Sequence, residues 1–167
     1  ADGDVIEAGR LQLRVLATPG HTSDSLSYAI DGHVFIGDTL FAPDVGCARC
    51  DFPGGSIEDL YASIQRLYAM DDATVLHLCH DYPPAGRQRR SEVSISESKR
   101  DNRMLRGDTS LEDFTAARRA RDAHLAPPDV ARQQRVHQCS PSISMRTSVT
   151  GDSAGTNLSA WGSAPSS

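Results

Sequence analysis

The stretch Thr18-Pro19-Gly20-His21-Thr22 decides how the rest of this chain is read. Ahead of it Leu11, Leu13 and Val15 alternate with polar residues, so residues 11–17 read as a half-buried strand that Pro19 and Gly20 stop at a histidine. Leu26, Tyr28 and Ile30 alternate in turn, Asp31-Gly32 is a two-residue hairpin signal, and residues 33–37 return as the paired strand ending at Gly37-Asp38. An antiparallel hairpin carries residues 26–30 away from His21 and brings 33–37 back, which puts Asp38 at the end of the sheet that holds His21. Val75, Leu76 and Leu78 mark a short buried strand ending at Cys79-His80. Two histidines and an aspartate on neighbouring loops supply the imidazole and carboxylate donors that divalent zinc or iron takes.

Between these pieces lies a long loop, residues 39–55, punctuated by Pro43, Gly46, Pro53, Gly54 and Gly55, and loops of that length usually serve function. Ser56 then caps a helix with Asp59 three residues on, and Ile57, Leu60, Ile64 and Leu67 repeat at helical spacing, with Tyr61 and Tyr68 as flanking packing residues. A polar helix is expected over 91–105, and a further one after the Ser110 cap with Asp113 in its first turn. Its Arg118–Arg121 run reads as a solvated face. From about Pro127 the pattern lapses, and residues 128–167 read as a Ser-rich, disordered or aberrant tail in which Trp161 stands alone.

At 167 residues with 38% hydrophobic content and a mean hydropathy of -0.40, the chain can form one domain but not all of it belongs to a core. A formal charge of -5 argues against a nucleic-acid partner, which would call for a positive field. No apolar run approaches the ~20 residues of a membrane span, and no signal segment opens the chain, so the reading is a cytoplasmic protein without a membrane partner. Four scattered cysteines, Cys47, Cys50, Cys79 and Cys139, suit a reducing compartment better than a disulfide framework. Cys47 and Cys50 form a C-x-x-C, but with no second pair and no strand-then-helix context they read as incidental loop thiols.

Taken together, Thr18-Pro19-Gly20-His21-Thr22, Gly37-Asp38-Thr39-Leu40-Phe41, the loop Gly46-Cys47-Ala48-Arg49-Cys50-Asp51-Phe52-Pro53-Gly54-Gly55, Leu60-Tyr61 with Ser63-Ile64, and His80-Asp81-Tyr82 resemble the second half of the metallo-β-lactamase superfamily. Within it the loop from Gly46 tilts the likeness toward the persulfide dioxygenases and away from glyoxalase II, which shares the first motif. The resemblance implies an α/β fold, a partial αββα sandwich over residues 1–127. The His-x-His-x-Asp-His motif that opens the family's metal site is not in this sequence. That points to a fragment of a longer protein, with weak metal binding expected of the chain alone.

By resemblance His21 and Asp38 are metal ligands, and His80 is a third whose part is less fixed when the metal is a single iron. The implied cofactor is iron(II), with zinc(II) as the alternative, and the implied substrate is glutathione persulfide or a related thiol, oxidised to sulfite with return of glutathione. Arg49 matches the basic residue that grips the tripeptide's carboxylates, and Lys99 or Arg100 the basic helix of glutathione-thiol enzymes. A salt bridge from Arg49 to Asp51 is the plain alternative. Thr22, Asp81 and Tyr82 are expected to orient the ligands. The resemblance also allows a homodimer. Two rivals are carried forward: a glyoxalase II-like dinuclear zinc thioester hydrolase, and a non-catalytic remnant of the fold.

Overall fold

The computed structural model describes residues 1–125, so the expected tail over 128–167, with Cys139 and Trp161, lies outside the described residues. Six strands, β1 (Val5–Ala8), β2 (Leu11–Ala17), β3 (Leu26–Ile30), β4 (His33–Phe35), β5 (Val75–His77) and β6 (Glu92–Ser94), form one sheet in sequence order. Three helices accompany it: α1 (Ile57–Tyr68), α2 (Ile95–Asp101) and α3 (Leu111–Asp122). All neighbouring strands pair antiparallel except β4 and β5, which run parallel. The β3–β4 hairpin closes with Ile30 opposite His33, and both Asp31 and Gly32 hold positive φ (44° and 77°), the conformation a two-residue turn of this twist demands.

The register sorts the sheet's residues onto two faces. Leu16, Val34, Leu76 and Val93 lie on one face and enter a single core with Leu60, Ile64, Leu67 and Tyr68 of α1, Ile95 of α2 and Phe114 of α3. On the other face the row Val15–Tyr28–Phe35–His77–Glu92 runs across five strands, and Ile6, Leu11, Leu26 and Phe35 are exposed there among the described residues. A mixed sheet with helices on one face is the half-sandwich that the sequence implied.

The Ser56 cap holds as expected, its side chain accepting from the Asp59 amide at 3.1 Å. Tyr61 and Tyr68 are packing residues, and the buried Tyr68 hydroxyl donates to the Leu105 carbonyl at 3.0 Å. The polar helix expected over 91–105 is shorter. Residues 92–94 extend the sheet as β6 beside β5, and Ser94 caps α2, which ends at Asp101. There Asn102 folds the chain back by accepting from the Met104 and Leu105 amides. β1 went unread in the sequence.

Arg118 corrects the reading of α3 as a solvated basic face. Its side chain is 1% exposed and is held by two bonds to Asp122 and by the Cys47 and Ala48 carbonyls, each at 3.1 Å. Those acceptors offset the cost of burying the guanidinium, and so α3 grips the loop 39–55. Arg118→Ala would leave two carbonyls and a carboxylate with no donor from this side chain. The expected cost is about 3 kcal/mol of folding stability, read as a lower urea midpoint at unchanged slope.

Candidate metal centre

The strand directions decide what can meet. β2 ends where β3 begins, β3 begins where its antiparallel partner β4 ends, and β4 ends beside the end of its parallel partner β5. The segments after β2, β4 and β5 therefore leave the sheet at one end, and they carry His21, Asp38 and His80.

His21 is the most fully specified of the three. Thr18, fully buried, anchors the turn through Ser27 at 2.9 Å, the Ser63 hydroxyl donates to the Pro19 carbonyl at 2.7 Å, and the Ser56 amide donates to the Gly20 carbonyl at 2.9 Å. The turn is thus bolted to the N-terminus of α1. His21 Nδ1 lies 2.8 Å from the Arg49 carbonyl and the ring meets Phe52 edge-on. A carbonyl only accepts, so Nδ1 carries the ring proton and Nε2 of the neutral ring keeps its lone pair. That is the tautomer a metal ligand adopts when its other nitrogen is anchored on the backbone.

Asp38 Oδ1 lies 3.5 Å from His80 Nε2. Cys79 joins them: its Sγ donates to the Gly37 carbonyl at 2.9 Å and lies 3.3 Å from Asp38 Oδ1; although the residue is exposed, partial desolvation of the sulfur followed by the Asp38 charge pushes its thiol up to about 12. One donor atom from each of Asp38, Cys79 and His80 falls within 4.8 Å of the others, and His21 is not part of that group. Carboxylate oxygen, imidazole nitrogen and thiol sulfur are all donors that zinc or iron accepts, so the residues present fit a divalent ion.

The loop 39–55 is packed rather than loose. Leu40 pairs with Cys47 across it, and Leu40, Phe41, Ala42, Val45, Cys47 and Ala48 are buried. Burial holds the Cys47 thiol at about 11 and the Cys50 thiol at about 12, well above a reactive range. The loop's Arg49 points its guanidinium at Asp51 through two 2.5 Å bonds, with Phe52 beneath it at 5.2 Å.

The remaining expected residues are placed as follows. Thr22 closes its own turn by donating to Asp24 at 2.7 Å and contacting Ser25. Asp81, 5% exposed, accepts two bonds from Arg87 and one from the Arg90 amide, and the Arg87 guanidinium holds its carboxyl below the usual aspartate range. Asp81 thus fixes the chain just after His80. Tyr82 is exposed and its ring lies 5.9 Å from that of His80. Lys99 pairs with Asp72, which precedes β5, and so belongs to the end of that strand opposite His80; Arg100 pairs with its neighbour Asp101. Sequence reasoning missed Cys79 and the Arg49 carbonyl. The first was hidden because strand alternation sets neighbours on opposite faces, and the second is a backbone atom with no side-chain signal.

A mixed sheet with helices on one side, and Asp38, Cys79 and His80 grouped beyond its strand ends, defines an α/β protein whose donors could hold a divalent ion. The chain belongs to the metallo-beta-lactamase superfamily, whose family description matches residues 1–80. A probable metallo-hydrolase of Burkholderia pseudomallei is 42% identical over 76% of this chain and 47% of its own length. A hydroxyacylglutathione hydrolase of Maricaulis maris is 35% identical over 81% of this chain and 55% of its own. The crystal structure of ETHE1 from Myxococcus xanthus superposes with a TM-score of 0.67 at 38% identity, covering 77% of this chain and 53% of that one. The chain thus spans about half the length of these relatives. No helix among the described residues is long and apolar enough to cross a membrane.

Proposed function

We propose that this chain carries part of the metal site and thiol-binding wall of a persulfide dioxygenase-like iron protein acting on glutathione persulfide. The observation that carries the reading is His21: the Arg49 carbonyl fixes its tautomer, at the sheet end where Asp38 and His80 emerge. Two imidazoles and a carboxylate leave a bound iron(II) with about one residual positive charge and open positions, and the metal would supply one-electron chemistry toward dioxygen. Persulfide, dioxygen and water then balance as glutathione and sulfite. The named glutathione substrate of the Maricaulis relative supports a glutathione-type thiol here. Under this reading Arg49 meets a substrate carboxylate, exchanging Asp51 for it.

The test uses the chain joined to a His-x-His-x-Asp-His segment, and the chain by itself. The joined protein should retain iron and consume dioxygen with glutathione persulfide as sulfite accumulates; the chain alone should hold iron weakly and show no uptake. Two zinc ions with turnover of a glutathione thioester would establish the hydrolase instead. Neither metal nor turnover in the joined protein would establish the non-catalytic remnant. In the active protein, Arg49→Ala keeps the carbonyl that holds His21 but removes the charged donor, so steady-state kinetics should show KM raised about 10-fold with kcat little changed.

A further inference from the structure

We propose that Cys79 is a thiolate ligand of the metal, completing a carboxylate–thiolate–imidazole set with Asp38 and His80; the proposal rests on the metal-centre reading above. Bond lengths of ~2.3 Å to sulfur, ~2.0–2.1 Å to nitrogen and ~2.0–2.2 Å to oxygen require donor atoms roughly 3.4–3.6 Å apart around a tetrahedral ion. Asp38 Oδ1 and His80 Nε2 are 3.5 Å apart, and Cys79 Sγ and Asp38 Oδ1 are 3.3 Å apart. The Asp38–His80 edge therefore already has the size of a coordination polyhedron, the Cys79–Asp38 edge falls just under it, and the third edge lies within 4.8 Å.

The thiol is also held in place rather than swinging free. In the thiol form its bond to the Gly37 carbonyl holds the sulfur beside the chain turning into Asp38, and that bond is released when the proton leaves. Cys79 differs in this from Cys47 and Cys50, which are enclosed in the core, for its side chain is exposed on the same loop end as His80. On binding, the sulfur–hydrogen bond gives way to a sulfur–metal bond, the proton passes to solvent, and no oxidation state changes. A thiolate brings a softer donor to the site. With the Asp38 carboxylate it cancels the charge of a divalent ion and favours zinc and other thiophilic ions, so Cys79 ligation would shift the site away from the iron(II) proposed above.

Cobalt(II) separates the possibilities, because sulfur ligation produces an intense near-ultraviolet charge-transfer band distinct from the weaker visible ligand-field bands. Titration of the chain should raise both sets of bands together to one equivalent. Cys79→Ser should lose the near-ultraviolet band, keep the visible bands and weaken binding about 10-fold or more. Asp38→Ala should lose both. Visible bands without the charge-transfer band in the unaltered chain, or a band that survives in Cys79→Ser, would overturn the thiolate and leave Asp38 and His80 as ligands. No cobalt binding by the chain would overturn the thiolate set, while iron retention by the joined protein tests the metal-centre reading separately. As a check that needs no variant, zinc should slow iodoacetamide alkylation of Cys79, located by peptide mass mapping; an unchanged rate with zinc bound counts against the proposal.

Discussion

Gly20→Ala is expected to lower folding stability by about 3 kcal/mol or more and to take the His21 turn with it. Gly20 holds φ at 138°, outside what an L side chain adopts without strain, and an added Cβ would fall inside van der Waals contact of the Leu60 backbone nitrogen and Cα. Overpacking alone costs ~1–3 kcal/mol, and here the obstacle is helix backbone, which cannot rotate aside as a side chain can. The helix would have to back away, and the Ser56 amide bond to the Gly20 carbonyl would lengthen with it. Gly107→Ala is the control, since a Cβ there meets only Lys99 at 3.6 Å. Urea unfolding of the two variants measures the difference. Equal midpoints would show that the turn does not depend on the close approach.

The second large effect is on metal. Asp38→Ala, in the chain joined to its His-x-His-x-Asp-His segment, should reduce iron content to background, a loss beyond the ~10–100-fold that removing an outer partner of a ligand costs. Asp38 is partly exposed and lies in the bend after β4, outside the strand pairing, so the fold should survive. His21→Ala should act in the same direction. Metal analysis after gel filtration, with circular dichroism to confirm folding, decides it; iron content unchanged in both variants would refute the ligand assignment.

The parts of the fold that rest on local pattern were legible. The 26–37 hairpin announces itself through alternation and Asp31-Gly32, and α1 through Ser56 and a four-residue apolar stripe. β1 was not, because its pairing is visible only once β2 is in place: Val5–Ala8 is four exposed residues joined to β2 through Gly9-Arg10. β6 was absorbed into a helix since Glu92 and Val93 lead into the Ser94 cap without any breaker. Arg118 was misread for a different reason. Spacing marks where a charge falls on a helix, but only the arrival of the Cys47 and Ala48 carbonyls from elsewhere in the chain makes its burial tolerable. The same holds at the site, where motifs named His21, Asp38 and His80 but could not reveal that a carbonyl selects the His21 tautomer or that the Cys79 sulfur turns toward Asp38.

The parallel pairing of β4 with β5 sets Phe35 opposite His77, so Asp38 and His80 each stand three residues beyond a matched position. One residue of slip between these strands is ~3.3 Å, nearly the whole 3.5 Å that separates the two donors. The sheet therefore works as a vernier: a shift too small to alter its strand content would carry the pair from bonding range to none. Metal affinity becomes a gauge of strand alignment, and changes far away in the 39–74 crossover can be read in it while the spectroscopic signature of the fold stays constant.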